Sequence, residues 1–248
     1  MSSAPAEDQR FDWRQATLPI FVTVILVCGF WFYHVQWIAD GGFNQWDEFF
    51  TLDRASSFAR MEDWWTVYSQ NKPTFVKPPL QYWMSALLME AGADLELAMR
   101  LPSMLFALGC LIATAWLAAV VAPHLPWAMP ASVLLLASST QFWKYSTSAM
   151  LDIGAALFGL LAVLFALLAV QRRPVWWYAA AAAVVLGALQ KAPIGLALIA
   201  IFVGLLAATH RLHGLSAHGL WHTPQFRRSV YIAVGGSIAW PVFQALLH

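Results

Sequence analysis

The chain has 248 residues, 60% of them hydrophobic and 11% charged, with a mean hydropathy of +0.61 and a formal net charge of +1. A soluble domain carries roughly a quarter charged residues, so this composition excludes an ordinary globular domain and points to a polytopic membrane protein. With a charge near neutral and no basic patch of the kind phosphate-backbone binding needs, no nucleic-acid partner is expected.

The N-terminal region is not read as a cleavable signal. Its first apolar run has full span length, its polar lead carries Glu7, Asp8 and Asp12 as well as arginines, and no small-residue cleavage site follows. Uncharged apolar runs predict spans over 17–39, 101–121, 127–142, 153–170, 176–190, 193–209 and 230–247. Backbone polar groups in lipid must be satisfied within their own segment, so each run is expected to be helical. Cys28 and Cys110 fall inside apolar runs and are read as small hydrophobes, not as a disulfide or metal pair.

Between the first two runs lies the most polar stretch, 46–83, which mixes Asp47, Glu48 and Lys77 with ten aromatic residues. It is too polar to cross a bilayer and too aromatic for a solvated loop, so it is predicted to lie on the membrane surface. The run 79–91 is too short to span and reads as an interfacial helix. The expected fold is therefore all-α and polytopic, a single transmembrane domain over 1–248 with about seven transmembrane helices and an interfacial outer loop over 40–100.

Charge sets the expected orientation. With the N-terminus in the cytoplasm, seven basic residues face three acids inside and seven face ten outside, in line with the positive-inside rule. Treating 79–91 as a span would put Arg172, Arg173, Arg227 and Arg228 outside, and that arrangement is rejected. Four histidines at 210, 213, 218 and 222 lack cysteines and a motif spacing, and read as a solvated basic connector instead of a zinc site.

On this topology no Asp, Glu, Lys or Arg lies inside a span, which disfavours a small ion-coupled transporter. The outer ends instead collect Asp47, Glu48, Lys77, Arg100, Lys144, Asp152 and Lys191, several beside prolines that stiffen the chain. Snorkelling anchors explain any one of them. As a set on one face they suit a substrate with a lipid tail and a surface phosphate, with lysines holding the phosphate and a carboxylate acting as general base. A leaving lipid phosphate needs lysine, arginine or a divalent cation to stabilise it. Glycosyl transfer at a membrane surface has these requirements.

The ordered stretches Trp46-Asp47-Glu48, Lys77-Pro78-Pro79-Leu80-Gln81-Tyr82-Trp83, Arg100-Leu101-Pro102, Met150-Leu151-Asp152 and Gln190-Lys191-Ala192-Pro193 resemble the N-terminal half of GT-C membrane glycosyltransferases. The resemblance is to the bacterial protein-mannosyltransferase-like and lipid A aminoarabinose transferase group. It implies a polyprenyl-phosphate sugar donor, a lipid, glycan or protein acceptor, and a multi-pass inner-membrane enzyme acting on the periplasmic face. By this resemblance Asp47 is the leading catalytic carboxylate, Glu48 its companion and Asp152 the acid of the second outer loop. Lys77 and Lys191 match donor-binding lysines, and Arg100, Lys144 and Tyr82 complete the expected substrate-binding set.

Two departures bear on this reading. A metal-holding glutamate often precedes Lys-Pro-Pro in the aminoarabinose transferases, and Val76 stands there instead. No metal ligand is therefore assigned, and a divalent cation is left as the one candidate cofactor. Such enzymes also run about twice as long, so the C-terminal half of the fold is expected to be absent, or supplied by a partner chain. The alternative function is a non-catalytic subunit, or a protein that binds lipid-linked sugar within a complex.

Overall fold

The computed structural model describes residues 13–43, 45–191 and 217–248, together with the isolated positions 197, 200 and 204. The chain is built from helices, with one small hairpin among the described residues. Helix α1 is Trp13–Val35, and α2, Trp46–Met61, follows a short linker. Strands β1, Tyr68–Ser69, and β2, Lys72–Pro73, pair antiparallel across Gln70 and Asn71. Both of these turn residues have positive φ (52° and 61°), the backbone handedness that a two-residue hairpin turn requires.

Helices α3, Leu80–Glu90, and α4, Leu95–Val121, come next. They precede α5, Ala128–Ala137, α6, Thr140–Ser146, α7, Asp152–Gln171, and α8, Trp176–Gln190. The described C-terminal part comprises α9, Ala217–His222, and α10, Pro224–Leu247.

Among the described residues, four helices, containing 15–35, 95–121, 152–171 and 224–247, are long and apolar enough to cross a membrane. Two shorter apolar helices, α5 and α8, pack among them. The expected span 127–142 is not one helix. Ser139 adopts an extended backbone (ψ 121°) between α5 and α6, and Ser138 turns its hydroxyl onto the Leu135 carbonyl, as mid-helix serines often do. The Trp143 indole donates to the Ala137 carbonyl (2.7 Å), satisfying a helix-end acceptor at the break. The expected span 193–209 lies outside the described residues, as does most of the histidine-containing connector.

The interfacial reading of 79–91 matches an 11-residue helix, which at 1.5 Å per residue is about 16 Å long, half of a ~30 Å hydrocarbon core. Helix α4 begins six residues before the expected span at Leu101. Its 27 residues extend roughly 40 Å, more than a ~30 Å hydrocarbon core, and its first turns carry Glu96 and Arg100. Cys28 and Cys110 are both free thiols on helices.

Packing places one set of ends together. Helix α7 lies against α4 and α8, α8 against α10, and α5 against α1 and α4. A core of Ala55, Phe58, Val67, Tyr82, Ala86, Met99, Ala149, Leu151 and Trp240 joins α2, α3 and the hairpin to α4, the α6–α7 loop and α10. The last turns of α10 reach the outer loop: Gln244 Nε2 donates to the Trp65 carbonyl (2.7 Å), and His248 Nε2 meets Thr66 Oγ1 (3.3 Å). At the opposite end, Trp177 and Phe226 (ring centroids 4.7 Å apart) close the bundle near Arg172, Arg173, Arg227 and Arg228.

Candidate functional site

Asp47 and Glu48 both sit in the first turn of α2, where the helix N-terminus favours negative charge. Neighbours on a helix point about 100° apart, so the two carboxylates have different fates. Asp47 is half exposed, with Lys77 Nζ at 3.4 Å from its Oδ1. Glu48 is buried against Arg100, Oε1 to Nε 3.0 Å. Arg100 also donates to the carbonyls of Ile38 and Asp40 (3.0 Å each) and of Gly42, and lies over the Phe43 ring. The Glu48–Arg100 pair thus gathers the α1–α2 linker onto α4, and its donors and acceptors are directed into the protein.

The α6–α7 loop is held with equal care. Residues 148–151 are not helical and are largely buried, so their backbone groups need partners. Glu48 Oε1 accepts from Ala149 N–H (3.1 Å), and Thr51 donates to the Ala149 carbonyl (3.0 Å). Ser103 donates to the Met150 carbonyl (3.1 Å), and Gln190 to the Leu151 carbonyl (3.1 Å). Asp152, opening α7 from this anchored loop, meets Lys191 Nζ at 2.5 Å with both side chains partly exposed. Lys191 has an extended backbone just past the end of α8.

Lys77 precedes Pro78-Pro79, whose fixed φ stiffens the entry to α3. Gln81, on the first turn of α3, accepts from Gln190 Nε2 (2.6 Å), which ties the segment bearing Lys77 to the one bearing Lys191. Tyr82 is fully buried and its hydroxyl accepts from Arg54 (3.1 Å). Burial pushes the Tyr82 phenol above its usual range, while the Arg54 guanidinium works the other way. Lys144 is exposed on α6 and forms no ion pair among the described residues, although its carbonyl accepts from Ser148 beside the anchored loop.

Arg54 was not singled out from the sequence. Its guanidinium is buried between the Phe50 and Tyr82 rings, its Nε has no hydrogen-bond partner, and among the described residues no carboxylate pairs with it. A buried cation without a counter-ion is costly, and the site can offer it an anion. The sequence signal was its spacing: Arg54 lies seven residues past Asp47, on the same face of α2.

Val76, beside Lys77, is exposed and offers no ligand atom. Among the described residues no three His, Cys, Asp or Glu side chains gather as a metal site would require. Lys77 and Lys191 are each paired with a carboxylate, while Arg54 and Lys144 have no ion pair among the described residues.

Two concavities flank the charge pairs. One of about 340 Å³ is apolar and lined by Trp64, Trp65, Trp83 and Leu87. The other, about 430 Å³, is lined by Phe75 and the last turns of α10. Neither is lined by Asp47, Lys77, Asp152 or Lys191.

The sequence pattern described as dolichyl-phosphate-mannose-protein mannosyltransferase matches residues 76–222. No curated protein matches the chain by sequence. Among solved structures the fold is similar to ArnT from Cupriavidus metallidurans in the apo state, with TM-score 0.72 and 18% identity over 94% of this chain and 43% of that one. The same protein bound to undecaprenyl phosphate superposes with TM-score 0.69 and 17% identity over 92% and 42%. At these identities the likeness is one of fold, and the chain spans less than half the length of that protein.

Proposed function

Since the chain belongs to the dolichyl-phosphate-mannose-protein mannosyltransferase family, we propose that it serves a membrane glycosyltransferase reaction. A sugar moves from a polyprenyl-phosphate donor to a hydroxyl on a lipid, glycan or protein acceptor at the periplasmic face of the bacterial inner membrane. The observation that carries this reading is a carboxylate–lysine pair on each of two loops, Asp47–Lys77 and Asp152–Lys191, whose segments are tied together by the Gln190–Gln81 hydrogen bond. The structural likeness to a protein seen with undecaprenyl phosphate supports a donor of that class.

The roles follow from charge and exposure. Asp47 takes the proton from the acceptor hydroxyl as its oxygen attacks the anomeric carbon. The bond from that carbon to the phosphate oxygen breaks, and the electron pair leaves with the polyprenyl phosphate. Lys77, Lys191 and Arg54 stabilise the charge that grows there. Asp152 orients Lys191 until the phosphate replaces it. Glu48 and Arg100 hold the linker and the second loop in place, and Tyr82 seats Arg54.

The arginines support the proposed sidedness. Arg172, Arg173, Arg227 and Arg228 occupy the bundle end remote from Asp47, and the positive-inside bias puts that end in the cytoplasm. The region 40–100 would then be the periplasmic interfacial loop of one transmembrane domain. The second reading is a lipid-linked-sugar binding subunit without transfer activity.

Reconstituted chain, alone and with any co-encoded membrane partner, should bind undecaprenyl phosphate and move labelled sugar from a polyprenyl-phosphate donor. Binding without transfer in both conditions selects the subunit reading. Absence of binding removes both.

A further inference from the structure

The two carboxylate–lysine pairs come from four segments, and a closed circuit of buried polar side chains joins three of them, those that carry Lys77, Asp152 and Lys191. Gln190 Nε2 donates to Gln81 Oε1 (2.6 Å) and to the Leu151 carbonyl (3.1 Å), which uses both of its N–H bonds. Gln81 Nε2 donates to Ser103 Oγ (2.9 Å), and Ser103 donates onward to the Met150 carbonyl (3.1 Å). All three side chains are fully buried. The circuit links α3, α4 and α8 to the two residues that precede Asp152.

The position is built to hold this arrangement. A Cβ at Gly154 would stand 2.5 Å from Gln190 Nε2 and 2.8 Å from the Phe106 ring, so only glycine leaves the glutamine its place. Turning the Gln190 amide over would aim its oxygen at the Gln81 and Leu151 oxygens, so the donor orientation is set by its partners. Gln190 Oε1 itself has no hydrogen-bond partner. A buried amide left half satisfied is costly, and an apolar pair of similar shape would serve packing as well.

We propose that Gln81 and Gln190 are positioning residues. They form a clasp that sets the register between the Lys77 and Lys191 segments, so that both lysines engage one anionic headgroup. The clasp touches no substrate and acts through the lysines. The inference rests on the proposed donor chemistry for its functional half and on the hydrogen-bonded circuit for its structural half.

The test uses the full chain in lipid nanodiscs, with undecaprenyl phosphate as the probe and amide hydrogen exchange of residues 148–153 as a second readout. Gln190→Leu breaks the circuit, Gln81→Leu with Gln190→Leu replaces it by an apolar pair, and Gly154→Ala pushes the Gln190 amide aside by direct contact. All three should speed exchange over 148–153. Each should weaken binding roughly tenfold, the size of one or two lost hydrogen bonds, while the apolar pair keeps its unfolding midpoint near that of the unaltered chain. In a clasp-free background, Lys191→Ala should cost less than about twofold more, because the lysine has already lost its register. Unchanged exchange, unchanged affinity, or a full Lys191→Ala effect in that background would each overturn the proposal. If the unaltered chain binds no undecaprenyl phosphate, the donor reading fails, and exchange decides the clasp by itself: faster exchange supports it and unchanged exchange overturns it.

Discussion

Glu48 and Arg100, 52 positions apart, meet at 3.0 Å with almost no exposure of either side chain. Adjacent Asp47 lies half exposed beside Lys77. Removing one member of a buried ion pair leaves an uncompensated charge, which costs roughly 3–5 kcal/mol. Glu48→Ala should therefore lower the thermal unfolding midpoint of the detergent-solubilised chain severely, as should Arg100→Ala. A Glu48→Ala chain that melts normally and loses only sugar transfer would assign Glu48 to the chemistry instead.

Asp47→Asn should behave in the opposite way. The amide keeps size and polarity but cannot accept a proton, so transfer should drop by roughly 10²–10⁴-fold. Donor binding and the unfolding midpoint should stay close to those of the unaltered chain. Transfer assays alongside melting curves decide it, and retention of more than about a tenth of the transfer rate would exclude Asp47 as the general base.

The proposed reaction uses Arg54, Lys77 and Lys191 to hold one phosphate. A hydrogen bond to a charged group is worth about 1.5–3 kcal/mol, so Lys77→Ala and Lys191→Ala should each weaken undecaprenyl phosphate binding by roughly one to two powers of ten. Arg54→Gln should weaken binding comparably while leaving the fold intact, because no carboxylate loses its partner. Equilibrium titration in nanodiscs measures all three. An Arg54→Gln chain with normal affinity would place the phosphate elsewhere.

The hairpin should loosen in acid. Asp53 accepts from the Gln70 N–H, the Ser69 hydroxyl and Arg60. Burial alone would raise its pKa, but these donors outweigh it and hold the carboxyl below its usual value. A depressed folded-state pKa contributes stability that is fully present above the unfolded value, about 3.9. That stability is lost as pH falls through the lower, folded value. Proteolysis or amide exchange at residues 68–73 should accelerate below about pH 4, and Asp53→Asn should remove the dependence while loosening the hairpin at neutral pH.

The proposed sidedness can be tested at the two ends of the bundle. A cysteine replacing exposed Lys72, in a chain freed of Cys28 and Cys110, should react with a membrane-impermeant thiol reagent from the periplasmic side. One replacing Arg228 should react only from the cytoplasmic side. The reverse pattern would invert the assigned topology.

By itself the sequence determined most of the described apolar helices, the short helical run 80–90 between them and the residues able to carry charge at one end. These depend on local composition and on segment length against bilayer thickness, both of which a linear reading contains. The tertiary structure alone decided which neighbour of the Asp47-Glu48 pair turns inward, because a step of about 100° along a helix becomes inside or outside only when a partner surface exists. It likewise decided that Arg54 lies buried without a carboxylate, and that Gln81 meets Gln190 across 109 positions. The break between α5 and α6 shows the same limit. Two serines are tolerable within a helix until Trp143 supplies the hydrogen bond that makes parting there cheaper than continuing. Contacts between distant segments arise from packing the helices together, and no single stretch of sequence encodes them.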